Sequence, residues 1–328
     1  MARWARPAAW VLAGAALQGC AGAPSPGEAP LPVVAGGFRA HTLPAAHGLA
    51  LSALERPARA APARYRVIVV PGSGCAGMAP LAERYFAGLL HAEVLVLHKP
   101  WVDAAARTPP GDCPPQFVAA DALQAWQEHA VAALRADAQR RAAAGAPALP
   151  QLLLGISEGA ELLPALAPEV PRLAGLVLLS ASGLDPRDAL ALQAERLGAG
   201  AAWRALDAAQ AGPLPDAALR EGRSLRYWRG LWHWPLARPL IEAPWPLLQV
   251  WGTDDALVPQ SAYARFAGLA AGRAAPWCAR ALPGADHGLQ GPGGDGVQQL
   301  WRWLEDWARA PAQGLCAPVI AAEKLQNQ

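Results

Sequence analysis

Three stretches of the chain hold side chains whose types and settings suit nucleophilic chemistry at a carbonyl. The first is Gly155-Ile156-Ser157-Glu158-Gly159, a G-x-S-x-G pattern that follows an apolar run and precedes a helical pattern. That setting forces the serine onto a sharp turn and lifts its Oγ above the edge of a sheet. The flanking glycines let backbone and helix come close, and the helix N-terminus behind the serine favours developing negative charge. A serine hydroxyl is a poor nucleophile without a base. Of seven histidines, only His287 lies beyond the fifth strand pattern, in the loop-like stretch Pro283-Gly284-Ala285-Asp286-His287-Gly288-Leu289. An acid to hold the imidazole tautomer and stabilise the imidazolium is offered by Trp251-Gly252-Thr253-Asp254-Asp255-Ala256-Leu257-Val258-Pro259. There Asp255, three residues before Val258, is favoured over Asp254, whose other role is to cap the following turn. Asp185, after the preceding strand pattern, is the third candidate.

These side chains need a scaffold that brings them to one edge. Short runs rich in branched and apolar residues predict strands at 65–70, 93–97, 151–155, 175–179, 246–251 and 277–282. One or two earlier strands are expected within 38–54. Helices are expected at 80–90, at 158–167, at 261–271 and in two amphipathic stretches. One of these stretches carries Leu123, Trp126, Ala130 and Leu134 on one face; the other, near the C-terminus, carries Val297, Leu300, Leu304 and Trp307. A Pro-rich loop is expected at 99–116. Strands alternating with helices imply an α/β fold, with a mostly parallel central sheet covered by helices on both faces. Residues 183–243 interrupt the alternation and read as a small helical cap, with helical stretches at 188–197 and 201–209. Tyr227, Trp228, Leu231, Trp232 and Trp234 there either line an apolar acyl pocket or pack the cap on the body. His233 reads as a packing residue, and His41 and His47 as surface histidines.

Gly155–Gly159, Gly252–Pro259 and Gly284–Leu289, in the order Ser, Asp, His, resemble the α/β-hydrolase superfamily over about residues 62–311. The resemblance implies a Ser157–His287–Asp255 triad and an oxyanion hole made by backbone N–H groups of Ser73 and Glu158. The loop Pro71-Gly72-Ser73-Gly74-Cys75 has Pro-Gly where the superfamily usually has His-Gly, so Gly74 is an alternative donor. The Glu158 carboxyl stands near the acyl site or points into the structure. No metal or organic cofactor is implied, and the partner is a small-molecule acyl substrate.

The first residues read differently from the rest. Arg3 and Arg6 precede an apolar stretch, 7–17, too short to span a bilayer as a helix, and Leu17-Gln18-Gly19-Cys20 follows. This resembles the bacterial lipoprotein signal. It implies a leader over 1–19, lipidation of Cys20, a membrane contact through that lipid anchor, and a place in the cell envelope, with Ala21 favouring the outer membrane facing the periplasm. Residues 20–61 then form a tether with the possible first strands, and 312–328 a C-terminal tail. Cys75, Cys113, Cys278 and Cys316 remain, an even number that suggests two disulfides. The strand order implied by the superfamily pairs Cys75 with Cys113 and Cys278 with Cys316. Each bond closes a loop of about 38 residues, worth about 3–4 kcal/mol if unstrained, and the first braces the oxyanion loop.

A net charge of +2 with 16% charged residues gives no basic patch for nucleic acid. With 53% hydrophobic residues the chain can bury a large core. The residues set no oligomeric state. The expectation is an exported, membrane-anchored serine hydrolase that cleaves a carboxylic ester-type bond through an acyl-enzyme. An exopeptidase or amidase of the same fold, with Glu158 or Glu161 anchoring a peptide terminus, is the alternative; a non-catalytic ligand-binding lipoprotein is another.

Overall fold

In a computed structural model of the chain, residues 33–34 and 37–317 are described. The leader, Cys20, residues 21–32 and 35–36 of the tether and residues 318–328 of the tail lie outside the described residues. The elements begin with β1 (Val33–Val34), β2 (Phe38–Pro44), β3 (Ala50–Arg56), β4 (Tyr65–Val70), α1 (Ala79–Tyr85) and β5 (Ala92–Leu97). They continue with α2 (Pro115–Ala120), α3 (Leu123–Ala143), β6 (Gln151–Ile156), α4 (Leu163–Leu166) and β7 (Leu173–Leu179). An insertion follows, made of α5 (Pro186–Arg196), α6 (Gly200–Ala211), β8 (Leu219–Arg220), β9 (Arg223–Ser224), α7 (Leu225–Trp232) and α8 (Ala237–Glu242). The chain then runs through β10 (Leu247–Gly252), α9 (Gln260–Ala270), β11 (Trp277–Leu282), β12 (Gln290–Gly291), β13 (Gly294–Asp295) and α10 (Gly296–Arg309).

Nine of these strands form one sheet in the order β1-β2-β3-β5-β4-β6-β7-β10-β11. From β5 to β11 every pairing is parallel, and β1, β2 and β3 add an antiparallel edge. All six residues of β4 are buried, as a strand covered on both faces requires. The period-two alternation sorts its side chains. Ile68 and Val70 join α3, with Leu123, Trp126, Ala130 and Leu134, on one face. Tyr65, Val67 and Val69 join α1 and α10 on the other, where Val297, Leu300, Leu304 and Trp307 form the expected stripe. Burying each such leucine contributes about 1.5–3 kcal/mol. Asp295 caps α10, its carboxylate accepting from the N–H groups of Val297 and Gln298.

Two of the expected helices differ in the structure. The 80–90 stretch is helical only to Tyr85, with Gly88 close beyond. The 158–167 stretch is not one α-helix. It is a 3-10 helix at Ser157–Leu162, one α turn at Leu163–Leu166 and a second 3-10 segment at Ala167–Glu169. Pro164 and Pro168 lack the N–H groups that a continuous α-helix needs there. His47 is exposed, whereas His41 is partly buried beside Glu55 at 4.0 Å, and its imidazole is pushed down by burial. His233 is exposed rather than packed.

Both disulfides join the expected partners, with Cα atoms 5.7 Å apart for Cys75–Cys113 and 5.4 Å apart for Cys278–Cys316. The first ties the loop after β4 to the approach to α2, and the second ties β11 to the tail. Among the described residues, no helix is long and apolar enough to cross a membrane.

Candidate active site

β6 ends at Ile156 and delivers Ser157 with φ +50°, in the left-handed region that a serine rarely occupies. The turn is so tight that a side chain would collide on either side of it. A Cβ on Gly155 would meet the Cα of Ala160 at 2.4 Å, and one on Gly159 would meet the carbonyl oxygen of Val70 at 2.2 Å. Both glycines of the motif are therefore required by close approach.

The loop after β11 brings His287 over this turn, with Nε2 3.1 Å from Ser157 Oγ. Its Nδ1 lies 2.8 Å from Oδ2 of Asp255, which follows β10. With the Nδ1 proton directed at Asp255, Nε2 is left to accept the serine hydroxyl proton. The Asp255 carboxylate is fully buried. Burial alone would push it up. The hydrogen bond and charge of His287, with the N–H groups of Val258 and Leu257, outweigh burial and hold the carboxyl below its ordinary value. Those N–H groups donate to Oδ1 at 2.9 and 2.7 Å, and Tyr263 OH donates to Oδ2 at 3.4 Å.

Asp254 is exposed and lies 3.3 Å from the Thr253 hydroxyl. Asp185 is occupied elsewhere, accepting from the N–H groups of Leu236 and Ala237 at the start of α8. The structure thus brings Ser157, His287 and Asp255 together and leaves the other two acids outside.

Supports that the sequence reading missed hold these groups. Ser180, itself at φ +53°, donates its hydroxyl proton to the His287 carbonyl at 2.6 Å. Gln249, wholly buried in β10, donates to the carbonyls of Ala181 and Ser182. His98 is buried, which pushes its imidazole down to about 4 and keeps it neutral. Its Nδ1 lies 3.0 Å from the Ser52 carbonyl, and its Nε2 accepts from the Met78 N–H at 3.0 Å, pinning the loop that carries Ser73. None of these residues has a motif around it.

Glu158 points into the structure. Its Oε1 accepts from Lys99 Nζ at 2.5 Å and its Oε2 from Tyr227 OH at 3.1 Å. Lys99 also donates to Asp121 at 3.0 Å, lies 4.5 Å from the centre of the Trp126 ring and is itself buried. Arg223 of β9 pairs with the other oxygen of Asp121. Burial would raise the Glu158 carboxyl, but the charges of Lys99 and Arg223 and the two hydrogen bonds hold it below its ordinary value. A network of five side chains, four of them buried and Arg223 partly so, therefore joins the body, the cap and the residue after Ser157.

A cavity of about 330 Å³ opens over the serine. Ser73 and Ser157 line its floor with His287, and Tyr227, Trp228 and Leu231 of α7 form part of its wall. Gly74 adopts φ +98° in the same loop as Ser73. Trp232 turns away to stack on Trp203, 4.5 Å between ring centres, and Trp234 donates to the Glu161 carbonyl. The cap aromatics thus divide between pocket and packing. Among the described residues no His, Cys, Asp or Glu side chains gather into a metal-binding group.

No protein-family model and no curated protein sequence matches the chain. Solved structures do. A puromycin-hydrolyzing peptidase of Mycobacterium tuberculosis is similar with a TM-score of 0.55 over 88% of this chain at 17% identity, and the chain spans 41% of that protein. Est1E from Butyrivibrio proteoclasticus is similar with a TM-score of 0.54 at 15% identity, covering 83% of this chain and 99% of its own. The esterase domain of a Rhodothermus marinus protein has a TM-score of 0.51 at 19% identity, covering 83% of this chain and 98% of its own. The chain has the α/β-hydrolase fold.

Proposed function

We propose that the protein is a serine hydrolase that cleaves a carboxylic ester-type bond. The observation that carries this reading is the relay from Asp255 to His287 to Ser157, at 2.8 and 3.1 Å, on a serine held in left-handed backbone. Ser157 Oγ attacks the substrate carbonyl as its proton passes to His287 Nε2, and Asp255 balances the imidazolium. The carbonyl oxygen becomes an oxyanion, met by the backbone N–H groups of Glu158 and of Ser73 or Gly74. The imidazolium returns the proton to the leaving alcohol, and the Ser157 ester remains. Water, deprotonated by the same imidazole, then attacks the ester and releases the acid and the serine. An amidase or exopeptidase would differ only in a leaving amine.

The location belongs to the same proposal. The leader pattern and Cys20 support export and a lipid tether at the cell envelope, with the outer membrane favoured, and the two disulfides suit an oxidising compartment.

A fluorophosphonate probe tests the chemistry. The wild-type protein is expected to be labelled, and Ser157→Ala to lose both labelling and p-nitrophenyl ester hydrolysis by about 10³-fold or more. A matched p-nitroanilide tells amide from ester cleavage. Folded protein that takes no label favours the ligand-binding alternative. Incorporation of a palmitate analogue, lost in Cys20→Ala, tests the tether in the same cells.

A further inference from the structure

The cavity over Ser157 is lined by one carboxyl group that meets no hydrogen-bond donor among the described residues. Glu158, Glu161 and Arg223 all line it. Both oxygens of Glu158 are occupied by Lys99 and Tyr227, and Arg223 is paired with Asp121. Glu161 differs. It sits four residues past the nucleophile in the same 3-10 helix, so it lies only about 8 Å along the axis from Ser157. Its backbone is fixed by the bond from Trp234 Nε1 to its carbonyl. Its Oε2 is closed off from solvent and meets no donor, and no described residue hydrogen-bonds either of its side-chain oxygens.

The charged groups that bear on Glu161 are Glu158 and Asp185, both acids. Burial first, then these two charges, push its carboxyl well above the ordinary range. A carboxyl without a donor beside two negative charges and against the apolar wall of Tyr227, Trp228 and Leu231 is a setting that a cation would complete. An entering ammonium group would give Glu161 the missing partner and draw it into its ionised form. An entering carboxylate would meet the carboxyls of Glu158 and Glu161, while Arg223, which also lines the cavity, is already paired with Asp121.

We infer that Glu161 selects substrates that carry an ammonium group, so that the site acts on esters or amides of amine-bearing compounds. This rests on the serine-hydrolase reading of the same cavity. It separates the two glutamates of the motif region: Glu158 is consumed by the protein's own ions, and Glu161 is left for the ligand.

The test measures how well small ligands protect Ser157 from a fluorophosphonate, so it needs no knowledge of the natural substrate. n-Hexylammonium, n-hexanol and hexanoate are compared on the wild type and on Glu161→Gln. In the wild type, hexylammonium is expected to protect at concentrations at least tenfold below hexanol, with hexanoate the weakest. In Glu161→Gln, the gap between amine and alcohol is expected to close to within about threefold. Equal protection by amine and alcohol in the wild type overturns the inference, as does stronger protection by hexanoate or an undiminished gap in the variant. Should Glu161→Gln fail to fold, the wild-type ranking alone decides. A wild type that takes no label sinks the hydrolase reading instead, and this inference with it.

Discussion

Two buried ion networks lie at opposite ends of the same central strands, and they do different work. At the start of β4 and β6, Arg66 pairs with Asp137 of α3 at 2.6 Å and with Gln151 at 3.3 Å, while Arg140 and Glu55 flank them at the surface. At the far end Lys99 lies between Asp121 and Glu158, and Arg223 and Tyr227 reach in from the cap. The first network joins one helix to the sheet. The second joins four separate segments around the N–H group that would face an oxyanion. Buried ions cost desolvation and are weak stabilisers against an apolar alternative. At the quiet end the pairing fixes packing; at the site end it fixes position.

The largest expected effect lies at the quiet end. Asp137→Ala removes the closest partner of the buried Arg66 and leaves it Glu55 at 3.8 Å and Gln151 at 3.3 Å, so denaturant unfolding should show a loss toward the lower end of the buried-pair range, about 3 kcal/mol. The kcat of the molecules that remain folded should stay the same. A kcat change beyond a few-fold would erase the contrast between the two ends. Next, Glu158→Gln keeps an acceptor for Tyr227 but removes the charge facing Lys99. Its kcat on a neutral ester should fall about tenfold, near 1.4 kcal/mol, with KM nearly constant. A change confined to KM would assign Glu158 to substrate binding rather than to positioning.

The smallest effect concerns pH and Glu161. Its folded carboxyl binds a proton well above the ordinary value of 4.5, where the unfolded chain has already released it. Stability on its account is therefore complete below that value and declines as pH rises toward the raised one. Glu161→Gln removes the decline. Its melting temperature should gain on the wild type between pH 4 and pH 8 by about 2–4 °C, and a constant difference across that range would show that Glu161 ionises normally.

Much of the frame was legible in the sequence because it is local. The run at 65–70, apolar and branched but for Arg66, and the mostly apolar stretch at 277–282 are strands to the residue, each ended by Pro-Gly. Ser157 was legible because its turn demands glycines at fixed offsets. Asp255 could be ranked above Asp254 from its offset to Val258-Pro259; burial and the two N–H donors supply the physical reason. The direction of Glu158 could not be read, because it depends on Lys99, Asp121, Arg223 and Tyr227, which lie between 22 and 102 residues apart in the pairs they form. Lys99 did stand out as one of only two lysines, yet composition does not say where an ammonium goes. The Ser180 prop beneath His287 spans 107 residues and was invisible for the same reason.

Because β9 and α7 donate Arg223 and Tyr227 to acids of the body, the insertion is not a freely exchangeable module. A chimera carrying a foreign insertion must supply a guanidinium and a phenol at matching points, or leave Asp121 and Glu158 competing for a single ammonium. Diversification of this scaffold by swapping lids is thereby restricted to lids that bring that pair, even where the remaining wall is free to vary.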